Sequence, residues 1–184
     1  MRKNHVSFRT VAALTIVMAG LCRPAMAASD TAHITLTGTV RDNTCTLDNS
    51  APSFTLPEVS VRDFGSQANT KVSSFTVPIK LTGCGAGATT VTLTTTGTAD
   101  TDGGASVFAN TSTVKPAATG VGLLMFRSGG SSSIFDTAGR MQDTVTLTPG
   151  TDNLMEFSVR YVSTKNTVTP GSFKTVISMR INYN

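Results

Sequence analysis

Residues 171–184, GSFKTVISMRINYN, put Ile177, Met179, Ile181 and Tyr183 on every second position, with Ser178, Arg180 and Asn182 between them. A period of two gathers the four apolar side chains on one face of an extended chain, which no helix can do. The stretch predicts a strand with one face in need of cover, running to Asn184. A strand at a chain end frays unless something pairs with it. What this strand lies against is therefore the first question the sequence raises.

The same period recurs upstream. Residues 73–84, SSFTVPIKLTGC, set Phe75, Val77, Ile79 and Leu81 on one face. Residues 89–97 alternate Val91 and Leu93 with threonines. Residues 143–150 present Val145 and Leu147 and break at Pro149-Gly150. Residues 154–163 alternate Met155, Phe157, Val159 and Tyr161. Turn clusters such as TADTDGGAS and RSGGSSS separate these runs. No stretch beyond about two turns holds a 3.6-residue period. Helix is expected only locally, near 107–113 or around 60–70. With no internal repeat and no shift in composition, the chain predicts a single all-β sandwich.

The first residues predict export. Arg2, Lys3 and Arg9 precede an apolar run too short for a comfortable membrane span, and Ala25-Met26-Ala27 forms a small-residue cleavage site. Residues 1–27 read as a signal peptide. Bulky Leu21 argues against lipid attachment at Cys22, and no second apolar stretch supports a retained membrane anchor. Four of the 15 Lys and Arg, namely Arg2, Lys3, Arg9 and Arg23, leave with the signal; 11 basic and 11 acidic side chains remain. A near-neutral chain without a basic cluster has little means of binding a phosphate backbone, so nucleic acid is not an expected partner.

Cys45 and Cys84 are the cysteines left after cleavage, and in an exported chain such a pair reads as a disulfide rather than two free thiols. Closing a loop of about 40 residues stabilises a fold by roughly 4 kcal/mol in the chain-entropy account.

Nothing points to catalysis, metal or cofactor. His33 is the lone histidine after the signal, with no serine and acid set around it. A bridged cysteine pair supplies no zinc site. Asp100, Asp102 and Gly103 lack the spacing and the closing Glu of a calcium loop and read as a turn.

A further strand precedes Cys45, where Ile34, Leu36, Gly38 and Val40 alternate with Thr35, Thr37 and Thr39. It can be the first strand of the sandwich, or an extension serving another molecule. The ordered set of features favours the second reading. A signal peptide leads to an alternating extension with a central glycine; the first cysteine follows in GTVRDNTCTL and the second ends a strand in VPIKLTGCG. LTPG precedes a long strand, and Gly171 and the penultimate Tyr183 mark the ending.

In this order the features resemble subunits of chaperone–usher fimbriae, the type 1-like pilins, and VRDNTC looks most like a minor tip-fibrillum subunit. The resemblance implies an incomplete immunoglobulin-like sandwich lacking its final strand, with residues 28–42 as a donor-strand extension and 43–184 as the pilin domain. Ile34, Leu36, Gly38 and Val40 would form the donor strand. Gly171, Ile177, Met179, Ile181, Tyr183 and Asn184 would serve the acceptor groove and chaperone recognition. The implied partners are a periplasmic chaperone, an outer-membrane usher and neighbouring subunits, with the cell surface as destination. Two rival readings are a single-domain carbohydrate-binding adhesin, for which no aromatic platform is visible, and a self-contained secreted sandwich with residues 34–40 pairing in cis.

Overall fold

The computed structural model describes residues 35, 37–38, 42–127 and 133–184. Ile34, Leu36 and Val40 of the expected donor strand, and the expected signal peptide, lie outside the described residues. The chain divides into two units, Met1–Thr39 and Val40–Asn184. The first contributes only Thr35, Thr37 and Gly38 to the described residues, and the fold below is that of the second.

Among the described residues this unit has nine strands: β1 (Thr46–Leu47), β2 (Lys71–Thr82), β3 (Thr90–Gly97), β4 (Ala99–Asp100), β5 (Gly104–Ala109), β6 (Val121–Phe126), β7 (Ala138–Thr146), β8 (Asn153–Ser163) and β9 (Ile177–Tyr183). They form a six-stranded sheet in the order β1-β2-β8-β6-β5-β4 and a three-stranded sheet in the order β7-β3-β9. Every ladder within them is antiparallel. The expected all-β sandwich is what forms.

Period-two residues build the core between the sheets. Leu81 of β2, Val91 and Leu93 of β3, and Met155, Phe157 and Val159 of β8 are all buried in one cluster with Phe108, Leu123, Met125 and Phe135. Phe135 and Phe157 pack as a tilted pair with centroids 6.0 Å apart, an arrangement aromatic rings prefer over a face-to-face stack.

Strand β6 escapes a search for alternation because both its faces are covered. Leu123 and Met125 point into the main core, whereas Leu124 and Phe126 join Val107 and Val162 in a second cluster, with Ile134 packed against it. Its sequence, VGLLMF, is accordingly a continuous apolar run, the mark of a strand buried on both sides.

The helix expected near 107–113 does not form. Residues to Ala109 belong to β5, where Phe108 and Ala109 pair with Leu123 and Gly122 of β6; tertiary pairing overrides any local preference. The expectation near 60–70 is met by one 3₁₀ turn, Val61–Phe64. Ser60 Oγ accepts from the Arg62 amide at 3.2 Å and Asp63 Oδ2 accepts from the Ser60 amide at 2.9 Å. This reciprocal cap satisfies donors that would otherwise be stranded at the turn's start. The Asp100 segment is a turn as read, its Oδ1 accepting from the amides of Asp102 (2.9 Å) and Gly103 (2.7 Å).

Candidate functional site

Strand β9 pairs on one side with β3, from Gly97↔Ile177 to Val91↔Tyr183. It stands last in the order of its sheet, so its other side is an edge of unpaired backbone groups among the described strands. Ile177, Met179, Ile181 and Tyr183 are half-buried, and Ser178, Arg180 and Asn182 are exposed. The alternation read from the sequence is thus the alternation of the strand.

Beside this edge runs an open groove of about 740 Å³. Ile177, Met179 and Ile181 form one wall together with the residues leading into β9 from Phe173. Residues 49–56 form the opposite wall. The floor is the inward face of the six-stranded sheet: Val77 and Ile79 of β2, Leu123 and Met125 of β6, Val159 and Tyr161 of β8. The groove is therefore the place where the three-stranded sheet stops short of covering the six-stranded one.

The second wall was not foreseen. Residues 49–56 include Phe54 and Leu56, two positions apart, a signal too short to stand out from the loop around it. This segment has no ladder partner of its own. It is held at one end by β1, whose Thr46 and Leu47 pair with Thr82 and Leu81, and by Phe54 against Phe75, with centroids 6.0 Å apart. The disulfide read from the sequence, Cys45–Cys84, lies immediately before β1 and fixes where this wall begins.

Three of the expected site residues stand elsewhere. Gly171 is outside the groove lining, where a Cβ would come within 2.5 Å of Ala117 C and Ala118 N and 2.6 Å of Pro116 O. These are backbone atoms, so residues 116–118 would have to move. Replacing Gly171 by Ala should cost about 1–3 kcal/mol, seen as a lowered thermal midpoint. Tyr183 also lies outside the lining and packs against the main core. Asn184 ties the end of β9 to β3, its amide donating to Thr90 O (3.1 Å) and its Nδ2 to Thr92 Oγ1 (2.9 Å). Of the expected donor residues only Gly38 is described, and a Cβ there would meet nothing within 4 Å.

Burial raises the phenol pKa of both Tyr161 and Tyr183 above the usual value near 10. The folded chain then holds these protons more tightly than the unfolded chain. This contribution to stability is whole below about pH 10 and is lost as pH rises through the folded pKa values. Thermal midpoints measured between pH 8 and pH 12 should fall at the alkaline end, and less steeply in Tyr183→Phe.

Among the described residues no group of three or more His, Cys, Asp or Glu side chains could hold a metal ion. The chemistry of this site is that of an apolar trough bordered by a bare strand edge. Such an arrangement has the means to take up an extended chain, with main-chain groups at the edge and room for alternate side chains in the trough.

Residues 34–184 match the model of the fimbrial protein family. The chain belongs to the fimbrial protein family. The fimbrial fold is shared with solved structures of low sequence identity. The P pilus rod subunit PapA superposes with a TM-score of 0.61 at 20% identity, covering 76% of this chain and 99% of that one. A structure of a chaperone–usher pilus gives 0.60 at 21%, covering 86% and 99%. An antigen and type I fimbria protein of Burkholderia pseudomallei gives 0.55 at 22%, covering 76% and 88%. The protein is a fimbrial subunit, a structural component of the cell-surface pilus.

Proposed function

We propose that this fimbrial subunit polymerises by donor-strand exchange: the groove beside β9 accepts an extended segment from a neighbouring subunit, and residues 34–40 are donated in turn. The observation that carries this reading is the apolar groove lying along an unpaired strand edge. The dimensions agree. Strand β9 has 7 residues and, at about 3.3 Å per residue, spans roughly 23 Å. Residues 34–40 likewise number seven, and in extended form would match that length. Ile34, Leu36 and Val40 would each contribute roughly 1.5–3 kcal/mol on full burial in the trough. Gly38 would let donor and acceptor backbones approach closely.

Before assembly the same edge needs protection, because a bare strand edge invites uncontrolled pairing. A periplasmic chaperone supplying a strand of its own meets this need, with an outer-membrane usher as the exit route. The subunit is then exported by its first 27 residues and reaches the surface within the fimbria, where it supports adhesion. Within the fimbria we assign it to the tip as a minor or adaptor subunit, on the likeness of VRDNTC to such subunits.

Size-exclusion chromatography with mass detection tests this on the exported protein, with and without its chaperone. A one-to-one complex, and polymers or aggregates without chaperone, is the expected result. A stable monomer indifferent to chaperone would mean that residues 34–40 close the sheet in cis. Replacing Leu36 by Asp should slow polymerisation at least about tenfold, since a charge cannot be buried in an apolar trough without a partner, while chaperone loading stays unchanged in a pull-down.

A further inference from the structure

The two outer strands of the three-stranded sheet are not alike. The outer strands of the six-stranded sheet, β1 and β4, have 2 residues each. In the three-stranded sheet the outer strands are longer, β7 with 9 residues and β9 with 7. Nothing in the main-chain chemistry of an edge distinguishes one from the other, since either can template an added strand. Yet a filament that grows end to end needs one accepting edge per subunit.

The difference lies in the side chains that reach β7. Arg127, just past the end of β6, donates from Nη1 to the carbonyl of Gln142 at 2.6 Å. Asp136 is buried, and its Oδ1 accepts from the amides of Arg140 (2.9 Å) and Met141 (3.4 Å). One carbonyl and two amides of β7 are thus engaged by side chains. At the same stretch the register with β3 slips between Thr94↔Gln142 and Thr96↔Ala138, and Gly139 adopts a positive φ of 75°. A bulge bends the strand, a device that discourages edge pairing. On β9, by contrast, the ladder with β3 runs without a register slip and a trough lies alongside.

We propose that Arg127, with Asp136, closes the β7 edge against strand addition, so that of these two strands only β9 accepts an added strand and the subunit does not pair sideways through β7 with a second copy of itself. The inference rests on the donor-strand reading above. Arg suits the task because its guanidinium donates in a fixed plane and stays charged at any physiological pH.

The test is self-association of the purified subunit–chaperone complex, in which the groove is filled and β7 is not, followed by sedimentation velocity over a concentration series. Wild-type complex should remain one-to-one. Arg127→Met keeps the length of the side chain and removes the donor; its complex should self-associate at a concentration at least about tenfold lower, the factor expected for losing one charged hydrogen bond. Arg127→Lys keeps the charge but not the planar fork and should fall between the two. If Arg127→Met, or Arg127→Lys where the former is not recovered, sediments like wild type, the inference is overturned and the donor-strand reading stands. If no complex forms with wild type, the donor-strand reading falls and takes this inference with it.

Discussion

Deleting residues 28–40 should abolish polymerisation while leaving chaperone loading intact. The described lining of the groove runs from Leu47 to Ile181, and the two sheets that form it begin at Thr46. The truncated subunit keeps all of these parts. What it loses is the segment proposed as the donor. It should therefore bind chaperone one-to-one and end a growing fimbria by accepting a strand without giving one. Mixed with intact subunits, it should shorten fibres in proportion to its share. Electron microscopy of fibre length against the mixing ratio measures this directly. Fibres of normal length at every ratio would show that the N-terminal segment is not the donor. The expected effect is large because several apolar side chains and a run of main-chain bonds are removed together.

Removing the disulfide should have the second largest effect, on both stability and the groove. Cys45–Cys84 closes a loop with a sequence separation of 39, for which the chain-entropy account gives roughly 4 kcal/mol. Domains of this kind retain only about 5–15 kcal/mol in all, so the loss is a large share of the total. Position adds to it. Without the bridge, the segment from β1 to Leu56 is held by the two-residue ladder of β1 with β2 and by the Phe54–Phe75 contact. That segment is one wall of the groove. A Cys45→Ser, Cys84→Ser double variant should therefore show a steeply lowered denaturation midpoint, and among molecules still folded a weaker hold on the chaperone. Equal chaperone affinity in wild type and variant would separate the wall from the bridge and restrict the disulfide to global stability.

The site as a whole was only half legible beforehand. The β9 wall could be read directly, because a strand with one covered face writes a period of two into its sequence. The floor could be read in part: Val77, Ile79, Val159 and Tyr161 alternate in β2 and β8, but nothing local says that a gap lies above them. Residues 49–56 gave no period to read, since they are held from both ends rather than by a ladder. Gly171 and Tyr183 were visible as special positions, and the structure shows them packed, Gly171 close to the backbone of residues 116–118 and Tyr183 against the main core.

What the sequence determined by itself was the all-β class, the pairing of Cys45 with Cys84, the faces of β2, β3, β8 and β9, and, through the order of its motifs, the fimbrial family. The class and the faces follow from short-range periodicity, the cysteine pairing from two cysteines in an exported chain, and the family from a resemblance of ordered motifs. Only the tertiary structure decided which strands lie beside one another. It made β6 a strand buried on both faces, took residues 107–109 into β5, left β9 at an edge above an open trough, and brought Arg127 onto the β7 backbone. Each of these depends on contacts between residues far apart in the chain, and strand order is set by the burial of whole faces rather than by any one segment's preference.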